Sequence, residues 1–236
     1  MDTVTAPVLR PTAARPLHGM TVLLVEDSRL TSEAVRLMCT RSGARLLRAD
    51  SLAHARRHLA VYRPGCVIVD LGLPDGSGAE LLADLARARP RIDVLLGISG
   101  DPWAEGVALA AGADGFLGKP FVSLAHFQTM ILRLLPHDRR PPGPRPVSVA
   151  PLVPDPAAWR DDLGRASDLL ASGDNDMGYV AQFLAGVAAS TGDNALAAAA
   201  AALAPPAGAA SAAALARLRA MVALRLQDGP QDQPAS

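Results

Sequence analysis

The chain has 236 residues, of which 50% are hydrophobic, 3% aromatic and 19% charged. This length suits one large or two small domains, and the composition is that of a globular protein whose core uses mainly small aliphatic side chains. Basic and acidic residues number 23 each, so no global charge draws the chain to nucleic acid or to an anionic membrane.

The ends of the sequence and its cysteines indicate a cytoplasmic protein. Prolines and charged residues interrupt residues 1–19, which predicts a disordered tail and no secretory signal. The weakly polar run 195–216 is broken by proline and glycine, so we expect no membrane span. Cys39 and Cys66 lie in apolar patterns and cannot form a disulfide framework, which favours a reducing compartment.

From Met20 onward, short apolar runs alternate with helical periodicity. This alternation predicts five βα units, and therefore an α/β domain with a doubly wound parallel sheet over residues 20–135. The predicted strands are 21–25, 45–48, 66–70, 93–98 and 115–117. The predicted helices lie near 29–41, 51–61, 77–88, 102–111 and 121–135, with Gly43 and Gly112 at positions typical of helix C-terminal caps.

A proline-rich segment separates this domain from a helical one. Eight of the 21 residues from 136 to 156 are proline, which predicts a semi-rigid extended linker. Helices are predicted at 157–171, 176–190, 194–204 and 211–227. Their apolar stripes predict a second, all-α bundle over 157–228, followed by a disordered tail at 229–236. The stripes of the first two helices are Trp159, Leu163, Ala166 and Leu170, and Met177, Val180, Leu184 and Val187.

Polar side chains stand where the predicted strands end. Glu26 and Asp27 follow the first strand, Asp70 ends the third, Ser99 follows the fourth and Lys119 follows the fifth. Ligands of an open parallel sheet bind at the carboxyl ends of its strands. Three carboxylates meeting there repel one another unless a cation lies among them, and hard oxygen ligands suit Mg²⁺. A carboxylate beside a metal, an ammonium and a hydroxyl is equipped to attack a phosphoryl group.

These residues resemble the receiver domain of two-component response regulators over about residues 20–135. The motifs are the pair Glu26 and Asp27, the segment 70–78 (DLGLPDGSG), Ser99 and the segment 112–120 (GADGFLGKP). The resemblance implies a flavodoxin-like fold. It also implies a phosphoprotein of a phosphorelay that is not an enzyme.

The resemblance further implies a role for each acidic residue. Asp70 would accept a phosphoryl group from a sensor histidine kinase or a phosphotransfer protein. Asp27, Asp70 and the backbone carbonyl of Gly72 would hold Mg²⁺, with Glu26 assisting through water. Asp70 could otherwise cap the turn at Gly72, and the acidic pair could cap the first helix.

Three further residues follow from the resemblance. Lys119 would pair with the phosphoryl oxygens, Ser99 would close on them, and Phe116 would be an aromatic switch that turns inward when Ser99 moves. In this family the peptide bond between Lys119 and Pro120 is usually cis. The interval from Ser99 to Lys119 is about two residues shorter than usual in this family, so we expect the fourth helix or the loop before it to be shortened.

The sequence of the helical half predicts a module that binds proteins and catalyses no reaction. From Arg145 onward it has six basic and nine acidic residues, which argues against binding to a phosphate backbone. The segment 182–186 (QFLAG) resembles the core of a histidine-phosphotransfer domain, with Gln182 in place of the phosphorylated histidine and Ala185 in place of the lysine. A glutamine amide cannot carry a phosphoryl group. An unrelated helical bundle is the alternative.

We therefore expect a phosphorylatable response regulator whose bundle docks on a receiver or kinase, or forms a homodimer. One alternative is a scaffold that never takes phosphate. Another is a flavin- or nucleotide-binding domain, but such a site needs a phosphate cradle after the first strand, where Glu26 and Asp27 would repel phosphate unless a metal intervenes.

Overall fold

A computed structural model of the chain describes residues 10–101, 103–121, 123–143, 155–172, 176–203 and 212–228. The first nine residues of the tail predicted at 1–19, the tail predicted at 229–236 and most of the predicted linker lie outside the described residues.

The first part of the chain forms an α/β domain. Its elements are β1 (Thr21–Val25), α1 (Arg29–Ser42), β2 (Arg45–Ala49), α2 (Leu52–Val61), β3 (Cys66–Asp70), β4 (Gly72–Leu73), β5 (Gly76–Ser77), α3 (Gly78–Arg87), β6 (Val94–Ser99), α4 (Ala104–Ala110), β7 (Gly115–Gly118) and α5 (Leu124–Leu134). Five strands form a parallel sheet in the order β2-β1-β3-β6-β7, whereas β4 and β5 form a separate antiparallel ribbon. The predicted doubly wound, flavodoxin-like fold is confirmed.

The sheet is buried on both faces because successive side chains of a strand point in opposite directions. One core cluster contains alternate strand residues with side chains of α1 and α5: Leu24, Ile68, Leu96, Met38 and Phe127. The opposite cluster contains the intervening strand residues with side chains of α3 and α4: Leu23, Val67, Leu95, Leu82 and Ala108. This double burial explains why the strands are short, nearly continuous apolar runs.

Local signals place the helices where the sequence predicts them. The side chains of Ser28, Ser51 and Ser123 accept hydrogen bonds from backbone N–H groups in the first turns of α1, α2 and α5. Gly43 ends α1 with a φ of 82°, as predicted for a C-terminal cap. α4 is two residues shorter at its start than predicted, since it begins at Ala104.

Residues 10–19, which we expected to belong to a disordered tail, pack on the α/β domain instead. The side chain of Leu17 is 1% exposed and joins the core cluster beside α1 and α5. Its backbone N–H donates to the carbonyl of Ser42 over 2.9 Å. The described start of the predicted linker is not extended either, because His137–Arg139 forms a 3-10 turn.

After the linker, the described residues form four helices: α6 (Pro156–Ser172), α7 (Met177–Thr191), α8 (Asn194–Ala201) and α9 (Ala212–Asp228). The predicted stripes of α6 and α7 are buried in one apolar core, apart from Met177, which is partly buried. Gly192 ends α7 with a φ of 71°, and the carboxylate of Asp193 accepts from the N–H of Leu196 to begin α8.

The helical bundle is docked on the α/β domain. Leu30, in the first turn of α1, is a member of the apolar core of the bundle. The contact therefore lies beside the carboxyl edge of the sheet, where β1 ends and α1 begins. Within the part of the chain that the structure describes, no helix has the length and apolar character needed to cross a membrane.

Candidate functional site

The sheet brings the predicted acidic residues together. Glu26 and Asp27 follow β1, and Asp70 is the last residue of the adjacent strand β3. One carboxylate oxygen from each residue lies within 4.8 Å of the others. All three are buried, with exposed fractions of 0%, 3% and 5%. The three form an acidic cluster at the carboxyl edge of the sheet.

Lys119 supplies a buried cation to this cluster. It follows β7, and its side chain is 8% exposed. Its Nζ lies 2.5 Å from Oε2 of Glu26 and donates to Oδ2 of Asp70 over 2.8 Å. Three carboxylates thus face a single ammonium of the α/β domain, so the cluster has excess negative charge.

The charge balance is reflected in the direction of each pKa. Burial raises the pKa of Glu26 to about 8, and the neighbouring charges of Asp70 and Asp27 act in the same direction against that of Lys119. Burial also raises the pKa of Asp70, while Lys119 opposes the shift. Burial alone would lower the pKa of Lys119, but the carboxylates of Glu26 and Asp70 outweigh burial and raise it.

The residues of the acidic cluster fit a divalent cation. Oε2 of Glu26 is buried, and its ion pair with Lys119 leaves it able to make a further contact, since a carboxylate oxygen has two lone pairs. Carboxylate oxygens are the ligands that Mg²⁺ prefers, and Mg²⁺ keeps several waters when one or two carboxylates bind it. A divalent ion would remove the excess negative charge that burial makes costly.

Of the remaining predicted residues, Ser99 and Gly72 lie beside Asp70, whereas Phe116 lies two strands away from it. Ser99, at the end of β6, is buried, and its Oγ accepts from the N–H of Asp101 over 3.1 Å. The N–H of Gly72 lies 3.4 Å from Oδ1 of Asp70. Phe116, on β7, is partly buried and packs against the core cluster of α3 and α4. The Lys119–Pro120 peptide bond is cis, as expected.

The start of α3 fixes the backbone of Asp70. A Cβ on Gly78 would lie 2.8 Å from the carbonyl carbon of Asp70 and closer still to its oxygen. The backbone of Asp70 cannot rotate away from an added Cβ as a flexible side chain could, so only glycine permits this approach. The segment that begins with Asp70 therefore folds back so that Gly78 contacts the backbone of Asp70.

Sequence reasoning missed the residues that the bundle adds to this edge. Asp162 of α6 is 1% exposed. Its carboxylate accepts from Oγ of Ser28 over 2.7 Å, from the N–H of Arg29 over 2.7 Å and from the N–H of Leu30 over 3.0 Å. The carboxylate therefore sits at the positive end of the α1 helix dipole and pairs with N–H groups of the first turn. Burial raises the pKa of Asp162, and these hydrogen bonds oppose the shift.

Arg165 and Tyr179 contact Asp27 itself. The guanidinium of Arg165 donates to the backbone carbonyl of Asp27 over 3.0 Å and lies 3.2 Å from its Oδ2. The hydroxyl of Tyr179 donates to the same Oδ2 and accepts from Arg165 over 2.8 Å. Burial, and next the charge of Asp27, raise the pKa of Tyr179. Two side chains of the bundle thus donate hydrogen bonds to Asp27, one of the candidate metal ligands.

Gln182 of α7 lies against Gly72. A Cβ on Gly72 would lie 2.5 Å from Cδ of Gln182, so the side-chain amide rests on the glycine backbone. A cavity of about 780 Å³ lies between the bundle and the acidic cluster, and Asp70, Lys119 and Gln182 are among its lining residues. The residue at the position that resembles a phosphotransfer histidine therefore lines the same cavity as the candidate phosphoryl acceptor.

One of the missed residues has a sequence signal. Asp162 interrupts the apolar stripe of α6, one turn from Trp159 and from Ala166. A carboxylate on a buried stripe needs a polar partner, and the partner here is the start of α1. Arg165 and Tyr179 carry no comparable signal, because their contact exists only once the two domains meet.

Comparison with known proteins identifies the α/β domain. The family model for the response regulator receiver domain matches residues 22–131. The KDP operon transcriptional regulatory protein KdpE of Escherichia coli is 35% identical over 100 residues, which are 42% of this chain and 44% of KdpE. The virulence transcriptional regulatory protein PhoP of Salmonella typhimurium is 31% identical over 125 residues, 52% of this chain and 54% of PhoP. The chain thus spans about half the length of these curated relatives.

Solved structures similar to this chain cover about half of it. The receiver domain of a sensor histidine kinase from Pseudomonas aeruginosa, with magnesium coordinated in its active-site cleft, is 22% identical with a TM-score of 0.45. The match covers 49% of this chain and 97% of that one. The chemotaxis response regulator CheY4 of Vibrio cholerae is 22% identical with a TM-score of 0.44, over 49% of this chain and 98% of that one.

Proposed function

Since residues 22–131 are a response regulator receiver domain, we propose that this chain accepts a phosphoryl group on Asp70 in a Mg²⁺-dependent reaction. The observation that carries the proposal is the buried cluster in which Asp70 lies with Glu26, Asp27 and the ammonium of Lys119. A structural cap of a turn needs neither a second and third carboxylate nor a buried lysine.

The donor in this proposal is a phosphohistidine of a sensor histidine kinase or phosphotransfer protein. An oxygen of Asp70 forms the new bond to phosphorus as the nitrogen–phosphorus bond of the donor breaks, and the imidazole leaves with the bond's electron pair and takes up a proton. Lys119 neutralises charge on the phosphoryl oxygens. Asp27, Asp70 and the carbonyl of Gly72 would hold Mg²⁺, with Glu26 acting through water, and the ion would neutralise further charge on the same oxygens.

The phosphoryl group would alter the surroundings of Asp70. It adds about 1.5 to 2 negative charges and three acceptor oxygens at neutral pH. Ser99 follows Ile98, which is the register partner of Asp70 on the adjacent strand, so its hydroxyl would close on those oxygens. Phe116 lies on the neighbouring strand β7 and would turn inward as Ser99 moves.

The bundle in this proposal binds proteins and has no role in DNA binding or catalysis. Two observations support this role: the segment from Arg145 is more acidic than basic, and the bundle already binds a protein surface, the carboxyl edge of the sheet. Its partners would be receiver or kinase domains, or a second copy of the chain. The position of Gln182 beside Gly72 supports a phosphotransfer-like bundle that has lost its histidine. The two buried, unpaired thiols support a cytoplasmic location.

The proposal is tested by labelling with acetyl phosphate and Mg²⁺. We expect stable label on the wild-type chain and on Asp84→Asn, an exposed control on α3 that also loses one carboxylate. We expect none on Asp70→Asn. Equal labelling of the wild type and Asp70→Asn would contradict the assignment of the acceptor, and no label on any variant would favour the scaffold alternative.

A further inference from the structure

Four residues of α6 and α7 form the contact with the carboxyl edge of the sheet. We call Asp162, Arg165, Tyr179 and Gln182 the docking face. Together they contact three parts of that edge: Asp162 contacts the start of α1, Arg165 and Tyr179 contact Asp27, and Gln182 contacts the backbone of Gly72.

The docking face matches the charge of the surface that it covers. Its carboxylate meets the N–H groups at the positive end of α1, while its guanidinium meets the carboxylate of Asp27. Asp162 is almost fully buried by the contact, and a buried carboxylate without these partners would be costly. A chance contact between two surfaces would not pair both signs of charge in this way.

We propose that the docking face is a recognition surface for a receiver domain, here the receiver of its own chain, and that it competes with Mg²⁺ for Asp27. This inference rests on the proposed function, because it assigns Asp27 to the metal. Oδ2 of Asp27 accepts a hydrogen bond from the hydroxyl of Tyr179 and lies beside the guanidinium of Arg165. The positive charge of Arg165 offsets part of the negative charge of Asp27, so a divalent ion gains less there while the bundle is docked.

The docked bundle also selects among phosphoryl donors by size. The cavity of about 780 Å³ at Asp70 lies within the usual range of small-ligand pockets, about 300 to 1,000 Å³, so a small phosphoryl donor can enter. A donor carried on a protein domain must approach the same edge that α7 covers at Gly72. The bundle therefore has to move away before a protein donor reaches Asp70.

The first test measures Mg²⁺ affinity by isothermal titration calorimetry on full-length variants. Arg165→Ala removes the competing cation, and Tyr179→Phe removes one hydroxyl with little change in shape. We expect each variant to bind Mg²⁺ about tenfold more tightly than the wild type, the effect of losing one charge-assisted hydrogen bond. Arg160→Ala is the matched control, since it removes an exposed guanidinium from the same helix, and it should bind like the wild type. Equal affinity in all four proteins would overturn the proposal.

The second test follows amide hydrogen exchange at Arg29 and Leu30, whose N–H groups donate to Asp162. We expect protection without Mg²⁺ and faster exchange when Mg²⁺ is saturating. Unchanged protection with Mg²⁺ bound would overturn the competition. Protection that depends on protein concentration would instead assign the contact to two copies of the chain and overturn its placement within one.

The two tests separate this inference from the proposed function. If every variant binds Mg²⁺ equally and Asp70 is still labelled, only the competition is wrong. If no variant binds Mg²⁺ and none is labelled, the proposed function and the inference both fail.

Discussion

Replacing Lys119 by methionine removes the only ammonium from the acidic cluster while keeping a side chain of similar length. The ammonium lies 2.5 Å from Glu26 and 2.8 Å from Asp70, and both carboxylates are buried. Removing one partner of a buried ion pair costs about 3 to 5 kcal/mol. We expect about 3 kcal/mol for Lys119→Met, the lower end, because burial raises the pKa of Glu26 to about 8 and this carboxyl can hold a proton at neutral pH.

A double-mutant cycle isolates this effect from packing. Lys119→Met leaves the carboxylates of Glu26 and Asp70 without their cation. Adding Asp70→Asn replaces one of these two carboxylates by a neutral amide of the same shape. We expect the double variant to recover about half of the lost free energy of unfolding, so the two changes are not additive. Mg²⁺ at ten times the Kd of Lys119→Met should stabilise that variant by about 1.4 kcal/mol, and it should stabilise the wild type, whose ammonium weakens Mg²⁺ binding, by less.

The assay is urea unfolding at pH 7 followed by far-ultraviolet circular dichroism, with and without Mg²⁺. A Lys119→Met protein as stable as the wild type would refute the reasoning, because the acidic cluster would then carry no excess charge for the lysine to offset. Further destabilisation by Asp70→Asn would refute it as well.

Other parts of the structure give three further predictions. Gly78→Ala should lower the free energy of unfolding by at least about 2 kcal/mol in urea, because its Cβ would meet the backbone of β3, whereas Gly100→Ala should change little, since no atom lies within 4 Å of its added Cβ. The hydrogen bond from Arg225 lowers the pKa of Asp193, so this pair stabilises the fold above pH 4 and loses its effect as the pH falls through that lowered value. The melting temperatures of the wild type and Asp193→Asn should therefore converge on acidification. At pH 7 their free energies of unfolding should differ by less than about 1 kcal/mol. Burial raises the pKa of Cys39 to about 12, so a thiol reagent should leave it unmodified in the native protein and modify it in urea.

Much of the α/β domain and its site follows from the sequence because each relevant signal is local. A buried strand and the polar residue after it are adjacent in the chain, and a parallel sheet brings such residues to one edge. The positions of Glu26, Asp27, Asp70 and Lys119 are therefore predictable without knowing how the helices pack. The ribbon of β4 and β5 was not predicted, since strands of two residues show no periodicity.

The contact between the domains could not be predicted in the same way. The hydrogen bonds of Asp162 join residues more than 130 positions apart, and their geometry depends on how two finished surfaces fit. Composition shows only that the segment from Arg145 is acidic, whereas the contact places one of its few basic residues, Arg165, at Asp27. Leu17 is a similar case, because an isolated leucine in a proline-containing segment does not indicate burial.

The central claim is that Asp70 carries the phosphoryl group, and chemical trapping tests it most directly. Borohydride reduces an acyl phosphate to an alcohol, so reduction of the protein after treatment with acetyl phosphate and Mg²⁺ should yield homoserine at position 70. Mass spectrometry of the proteolytic peptides locates the change. We predict homoserine at position 70 alone, whereas homoserine at position 27 or an unmodified peptide that contains residue 70 would contradict the account.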